Sequence, residues 1–153
     1  MLIQVDTREK PSQTERILEH FDNQGVPYLI KKLDVGDYMS FNNVHVAIDR
    51  KQSLGEYAVN MGHDHARFKR EMIRANENNI KLIFLIEDDK ITSIEDVKKW
   101  WNPNSLFHQR YMTGEMLYKG MKTQMKRYSV EFHFCKKDET GYRIVELLKE
   151  NGG

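Results

Sequence analysis

The sequence predicts a mixed α/β sheet with helices on both faces. Ile80 to Ile86 is the most apolar run in the chain, and its length and β-branched content suit a buried strand at the sheet centre. Val44-His-Val46-Ala-Ile48 alternates apolar and polar residues, and the Asn42-Asn43 pair before it reads as a hairpin turn. Stretches with apolar residues at helical spacing separate these strands from shorter ones, so helices and strands interleave along the chain.

The elements follow in order. Leu2 to Val5 is a short strand that ends in Asp6-Thr-Arg8-Glu9. Lys10-Pro11 closes it, and Ser12 is positioned to cap a helix over 13–23 with Ile17, Leu18 and Phe21 on its apolar face. Gly25 ends that helix, and residues 26–33 form a second strand. Gly36-Asp37 opens the hairpin, which closes on Asp49-Arg50-Lys51. Ser53 caps a short helix. A helix over 65–78 follows, with Phe68, Met72 and Ala75 on one face. Ser93-Ile-Glu-Asp96 is a capping-box pattern opening a helix that ends near Trp101. The adjacent Trp100 and Trp101 cannot both face one core. Thr113 begins a helix to Tyr128 with Leu117, Met121, Met125 and Tyr128 as its buried stripe. Residues 130–134 alternate as a half-buried strand, and Thr140 caps a last helix.

The length of 153 residues suits a single domain over 1–153 with a core of its own. Hydrophobic residues at 39% and charged residues at 31% exclude a disordered chain, and no apolar run nears the ~18 residues of a membrane span. One cysteine, Cys135, allows no internal disulfide and suits a reducing, cytoplasmic compartment. The net charge of +1 hides segregation. Arg67, Arg70 and Arg74 share a helix face, as do Lys119, Lys122 and Lys126, while residues 85–96 are acidic. Each basic face is either solvated or a phosphate contact. His63-x-His65 is either a metal pair or a solvated loop, and no third ligand sits at useful spacing.

The chemistry concentrates at the hairpin. Side chains alternate along a strand, so Asp49 and Lys51 point one way and Arg50 the other, and the hairpin folds Asp37 back beside Asp49. Hard divalent cations take oxygen ligands, and magnesium uses one or two carboxylates and keeps waters. A lysine beside such a site orients water, or takes its proton where crowding lowers the lysine pKa. Two carboxylates and an ammonium on one sheet surface therefore suit phosphodiester hydrolysis. The same residues also occur as an ordinary turn and strand end.

Taken together, Val5-Asp6-Thr7-Arg8-Glu9, Gly36-Asp37, the hairpin, Asp49-Arg50-Lys51, the Arg67-Phe68 helix and the strand ending in Ile86-Glu87 resemble the XPF-type structure-specific endonucleases, within the restriction-endonuclease-like fold. The resemblance spans roughly residues 1–150. It implies that Asp37, Asp49 and the Arg50 backbone carbonyl hold magnesium or manganese, with Asp6 beside the ion directly or through water. It implies that Lys51 positions or activates water, and that Arg50 and Glu9 support the site or the DNA. DNA contact is expected of Arg8 and of the two basic faces. Two departures stand out: Asp49 replaces the usual Glu, and Gly55 stands where the family has Asp, with Glu56 next.

The resulting expectation is an endodeoxyribonuclease acting on branched, flapped or junction DNA in repair, recombination or replication. The resemblance implies a homodimer or a DNA-targeting partner protein, because no helix-hairpin-helix module follows the nuclease residues. Two other readings share the pattern: a non-catalytic DNA-binding or dimerisation subunit of the same fold, and a general restriction-type or Holliday-junction nuclease.

Overall fold

The computed structural model describes all of residues 1–153. Six strands form one sheet: β1 (Ile3–Val5), β2 (Tyr28–Ile30), β3 (Tyr38–Ser40), β4 (Asn43–Lys51), β5 (Lys81–Glu87) and β6 (Glu131–Cys135), in the order β2-β1-β3-β4-β5-β6. β1 runs parallel to β2 and antiparallel to β3. The β3–β4 hairpin is antiparallel, and β4, β5 and β6 are parallel. Five α-helices cover the faces: α1 (Pro11–Asn23), α2 (Leu54–Gly62), α3 (His65–Glu77), α4 (Gly114–Tyr128) and α5 (Thr140–Glu150). The expected mixed sheet with two helical layers is the observed one.

Strand alternation divides the core in two. Ala47, Leu82, Phe84 and Ile86 point to the layer of α2, α3 and α4, where Tyr57, Phe68, Met72, Leu117 and Met121 are buried. Ile48, Ile83 and Leu85 point to α1 and α5, where Ile17, Phe21, Ile144, Leu147 and Leu148 are buried. Tyr57, Phe68, Phe84 and Phe132 pack ring to ring in the first layer, at centroid distances of 5.2–5.4 Å. The Tyr57 hydroxyl donates to Gln124 and so joins α2 to α4.

Several local expectations change. β5 is buried on both faces, but it is the fifth of six strands; β3 and β4 hold the centre, because β6 docks beyond β5. The strand at 26–33 shortens to Tyr28–Ile30, an edge with Leu29 and Ile30 exposed. Helix α1 starts at Pro11, whose fixed φ suits a first helical position, so Ser12 lies inside it. Residues 94–99 form a 3₁₀ helix, and Asp96 accepts from the Thr92 hydroxyl at 3.0 Å. Thr140 is the first residue of α5 and its hydroxyl is spent elsewhere, as described below. Ser53 and Thr113 do cap α2 and α4, accepting from Glu56 N–H at 3.0 Å and Met116 N–H at 3.2 Å. The hairpin turns on Phe41-Asn42 without left-handed backbone at either Asn. Trp100 packs against the core while Trp101 is exposed.

Candidate active site

Three adjacent strands bring three carboxylates into a row. Val5 pairs with Tyr38 and Tyr38 with Ile48, so one step along the register sets Asp6 beside Asp37 and Asp37 beside Asp49. Two backbone bonds extend the ladder there: Asp6 N–H donates to the Asp37 carbonyl at 2.8 Å, and Asp37 N–H to the Ile48 carbonyl at 2.7 Å. All three side chains belong to the α2/α3 face by alternation. Gly36 makes the approach possible. Its φ of +73° is left-handed, and a Cβ there would meet Ala47 Cβ and the Ile48 carbonyl oxygen at 3.0 Å.

The row forms the floor of a cleft of about 550 Å³ with no hydrophobic residue in its lining. Such a wall suits ions and phosphates better than an apolar ligand. Lys51 Nζ lies 3.1 Å from Asp49 Oδ1, and 5.5 Å from the centroid of the Phe68 ring below it. Arg67, Arg70 and Arg74 project from α3 into the same cleft, and Arg74 donates to the Asp34 carbonyl at 3.0 Å. Arg8 and Lys10 line it from the β1–α1 loop.

Each predicted residue has a definite place. Asp37 Oδ2 accepts the Arg50 backbone N–H at 2.8 Å. Asp6 is committed to the chain: Oδ1 accepts Leu33 N–H at 2.8 Å and Oδ2 accepts Arg8 Nε at 2.7 Å. Arg50 points to the opposite face, as alternation requires, and is buried there. Its Nε and Nη2 donate to Glu87 at 3.0 and 3.2 Å, and Nη1 lies 3.7 Å from Glu9. Glu9 accepts from the Tyr38 hydroxyl at 2.9 Å, and Glu87 from the Thr140 hydroxyl at 2.7 Å. Glu56 reaches the cleft, but its carboxylate accepts Gln52 N–H at 2.8 Å and closes the start of α2. Lys119, Lys122 and Lys126 are exposed on α4 and none lines the cleft.

Sequence reasoning missed two carboxylates. Glu71 lies on α3 between Arg70 and Arg74; it is half-buried in the cleft, where its negative charge acts on the Asp49 carboxyl, and it accepts from Gly36 N–H at 3.4 Å. Its place among arginines masks it in the sequence, and its i, i+3 relation to Phe68, which is buried, is the available signal. Glu87 had its signal in the run before it, since a carboxylate ending a buried strand needs a cation.

The electrostatics record buried carboxylates with negative neighbours. Burial pushes Asp49 up to about 7; Lys51 opposes the shift and Glu71 adds to it. Loss of solvation pushes the half-buried Asp37 well above the usual carboxylate range, reinforced by Asp49 and Glu9. For Lys51, burial acts downward, but Asp49 and Glu56 outweigh it and hold the amine above its ordinary value. Crowding therefore acts on Lys51 opposite to the lowering considered from sequence, and the side chain is a cation. No three His, Cys, Asp or Glu side chains gather closely enough to cage a metal, and the His63/His65 pair stays exposed.

Residues 5–147 match the family model described as the ERCC4 domain. The chain belongs to the ERCC4 domain family. This ERCC4 domain is also similar to solved structures of XPF from Aeropyrum pernix. One matches with a TM-score of 0.68 at 20% identity, covering 99% of this chain and 65% of that one. Another, described as a complex with DNA, matches with a TM-score of 0.67 at 19% identity, covering 98% of this chain and 64% of that one. The ERCC4 domain thus spans about two-thirds of the length of those proteins, and the likeness is one of fold. No curated protein matches the chain.

Proposed function

We propose that this ERCC4 domain is a metal-dependent endonuclease that hydrolyses DNA phosphodiesters at branched, flapped or junction structures. The observation that carries the reading is the meeting of Asp37, Asp49 and Lys51 in one cleft rimmed by the α3 arginines. Membership of the ERCC4 family and the fold shared with XPF, one copy of which is described in complex with DNA, support it.

The donor set fits magnesium or manganese. Asp37 and Asp49 are carboxylates raised first by burial and then by neighbouring negative charge, and a hard cation would compensate both. Two carboxylates suffice for an ion that keeps its waters, so the lack of a three-residue cage is compatible with this assignment. Asp37, Asp49 and the Arg50 carbonyl would hold it, while Asp6 serves from behind by fixing Arg8 and the Leu33 backbone. When bound, the ion neutralises charge on a phosphoryl oxygen and acidifies water.

The protein's own groups supply the remainder. Lys51, held protonated, donates to the attacking water or to the phosphoryl oxygen and stabilises charge developing there. Water attacks phosphorus and releases a proton to solvent, the bond to the 3′ oxygen breaks, and that oxygen takes a proton from solvent. Arg67, Arg70, Arg74 and Arg8 receive the flanking phosphates and set the scissile bond over the acidic floor. The α4 lysines would meet a duplex arm outside the cleft.

The test is a cleavage screen over single-stranded, duplex, flap, splayed-arm and four-way substrates, with magnesium, manganese or chelator. Cutting that needs metal and vanishes in Lys51→Ala supports the reading; equal cutting by both proteins ends it. Tight binding with no cutting in either metal assigns the chain to the non-catalytic subunit instead.

A further inference from the structure

Between Lys99 and Met112 only Trp100 and Asn102 turn inward, and no residue of the stretch lines the cleft. Phe107 is 78% exposed and Trp101 59%, and Tyr111 is exposed as well. Large exposed apolar side chains grouped on one segment are the kind of surface that meets a partner. The charge around them is one-sided. No acid occurs between Asp96 and Glu115, while Lys99 and Arg110 are both exposed and enter no ion pair. Lys98 is the exception, since Glu95 holds it at 3.0 Å.

The loop has a fixed base. Buried Asn102 donates through Nδ2 to the Met112 carbonyl at 2.9 Å, while its Oδ1 accepts Asn104 N–H at 2.9 Å. Trp100 packs on the core beneath. Gly114 lies so close to the preceding turn that a Cβ would come 2.5 Å from the Val97 carbonyl oxygen, which clamps the start of α4 against it. The rings are thus presented on a closed loop, so little ordering is left for binding to impose.

Topology sets the loop's address. β4, β5 and β6 are parallel, so their carboxyl ends share one sheet edge. The loop follows β5 and α4 then runs back to the start of β6, so the loop stands at the edge that carries Asp49 and Lys51. It lies on the α2/α3/α4 side, the face of the cleft. β4 and β6 are two strand spacings apart, roughly 10 Å.

We propose that this loop is a stacking platform for single-stranded nucleic acid, with Trp101, Phe107 and Tyr111 taking bases and Lys99 and Arg110 taking phosphates. Aromatic planes interleaved with cations are what an unpaired strand requires, since every base offers a π-face. Charge complementarity and the shared edge with the cleft favour this occupant over a second copy of the chain. The platform would hold the unpaired arm of a branched substrate. Its choice of ligand rests on the DNA reading of the cleft, but binding does not require cleavage.

The test uses the full chain and fluorescein-labelled oligo-dT, followed by anisotropy in chelator. Trp101→Ala and Phe107→Ala should each weaken binding roughly tenfold, whereas Trp101→Phe keeps most of the affinity and Trp101→Leu does not. Both residues are exposed, so the thermal midpoint should stay at the wild-type value. Unchanged dT binding in both alanine variants overturns the platform, as does absence of dT binding by the wild type. So does a loss of self-association in sedimentation without a change in dT affinity, which gives the surface to a second copy. Lys51→Ala separates the two readings: lost cutting with intact dT binding supports both. A wild type that never cuts but loses dT affinity in the loop variants keeps the platform and removes the nuclease.

Discussion

The backbone N–H of Arg50 donates to Asp37 Oδ2 at 2.8 Å, while the side chain of the same residue is clamped by Glu87 on the far side of the sheet. One residue thus aims a carboxylate into the cleft and anchors its strand from behind. The anchor continues through Glu87 to the Thr140 hydroxyl at 2.7 Å, tying the site to α5. The alternation of strand side chains makes the two tasks compatible, because Asp49 and Lys51 are left free for the cleft.

Removing one end of the anchor should unfold much of its advantage. Glu87→Ala leaves the Arg50 guanidinium buried without its main partner. We expect a loss of about 3–5 kcal/mol by urea titration. Replacing both residues with apolar ones of similar volume should cost much less.

Lys51→Ala should lower metal-dependent cleavage roughly 10²–10³-fold, the scale for one preorganised donor at a developing charge. DNA affinity measured in calcium or chelator should change little. Lys51→Arg should rescue poorly, since a planar fork differs from a point charge in this confined position.

Asp49 makes the protein less stable at neutral pH. Its folded-state pKa of about 7 lies above the unfolded value, so the native state holds a proton that the unfolded state releases. The stability advantage is therefore present at low pH and is lost as pH rises from about 4 through about 7. Asp49→Asn should be more stable than wild type at pH 8 by about 1–3 kcal/mol, with the difference closing at pH 4. Magnesium should raise the wild-type thermal midpoint at pH 8 and leave that of Asp49→Asn nearly unmoved.

Glu71 pushes the same titration upward from α3. Glu71→Gln should bring the pH midpoint of metal-dependent cleavage to a lower value. A pH–rate profile checks this, and an unmoved midpoint separates Glu71 from the function of Asp49.

Arg67→Ala and Arg70→Ala should each weaken DNA binding at every sequence and reduce the salt slope by about one. Lys122→Ala, outside the cleft, should change binding of long duplex arms while sparing cleavage of a minimal substrate.

The amino-acid order alone determined the interleaved α/β sheet, the opposite aims of Arg50 and of Asp49 and Lys51, the caps at Ser53 and Thr113, and the shared face of the α3 arginines. Period, capping chemistry and turn residues are local, and neighbouring residues suffice to express them. Only the tertiary structure decided that Asp6 is spent on Leu33 and Arg8, that Glu71 joins Asp49, that Glu87 and Thr140 anchor Arg50, and that β3 and β4 rather than β5 hold the centre. The Asp6–Leu33, Arg50–Glu87 and Glu87–Thr140 contacts join residues 27, 37 and 53 positions apart in the chain. A buried charge finds its partner through sheet order and helix docking, which no window of sequence contains.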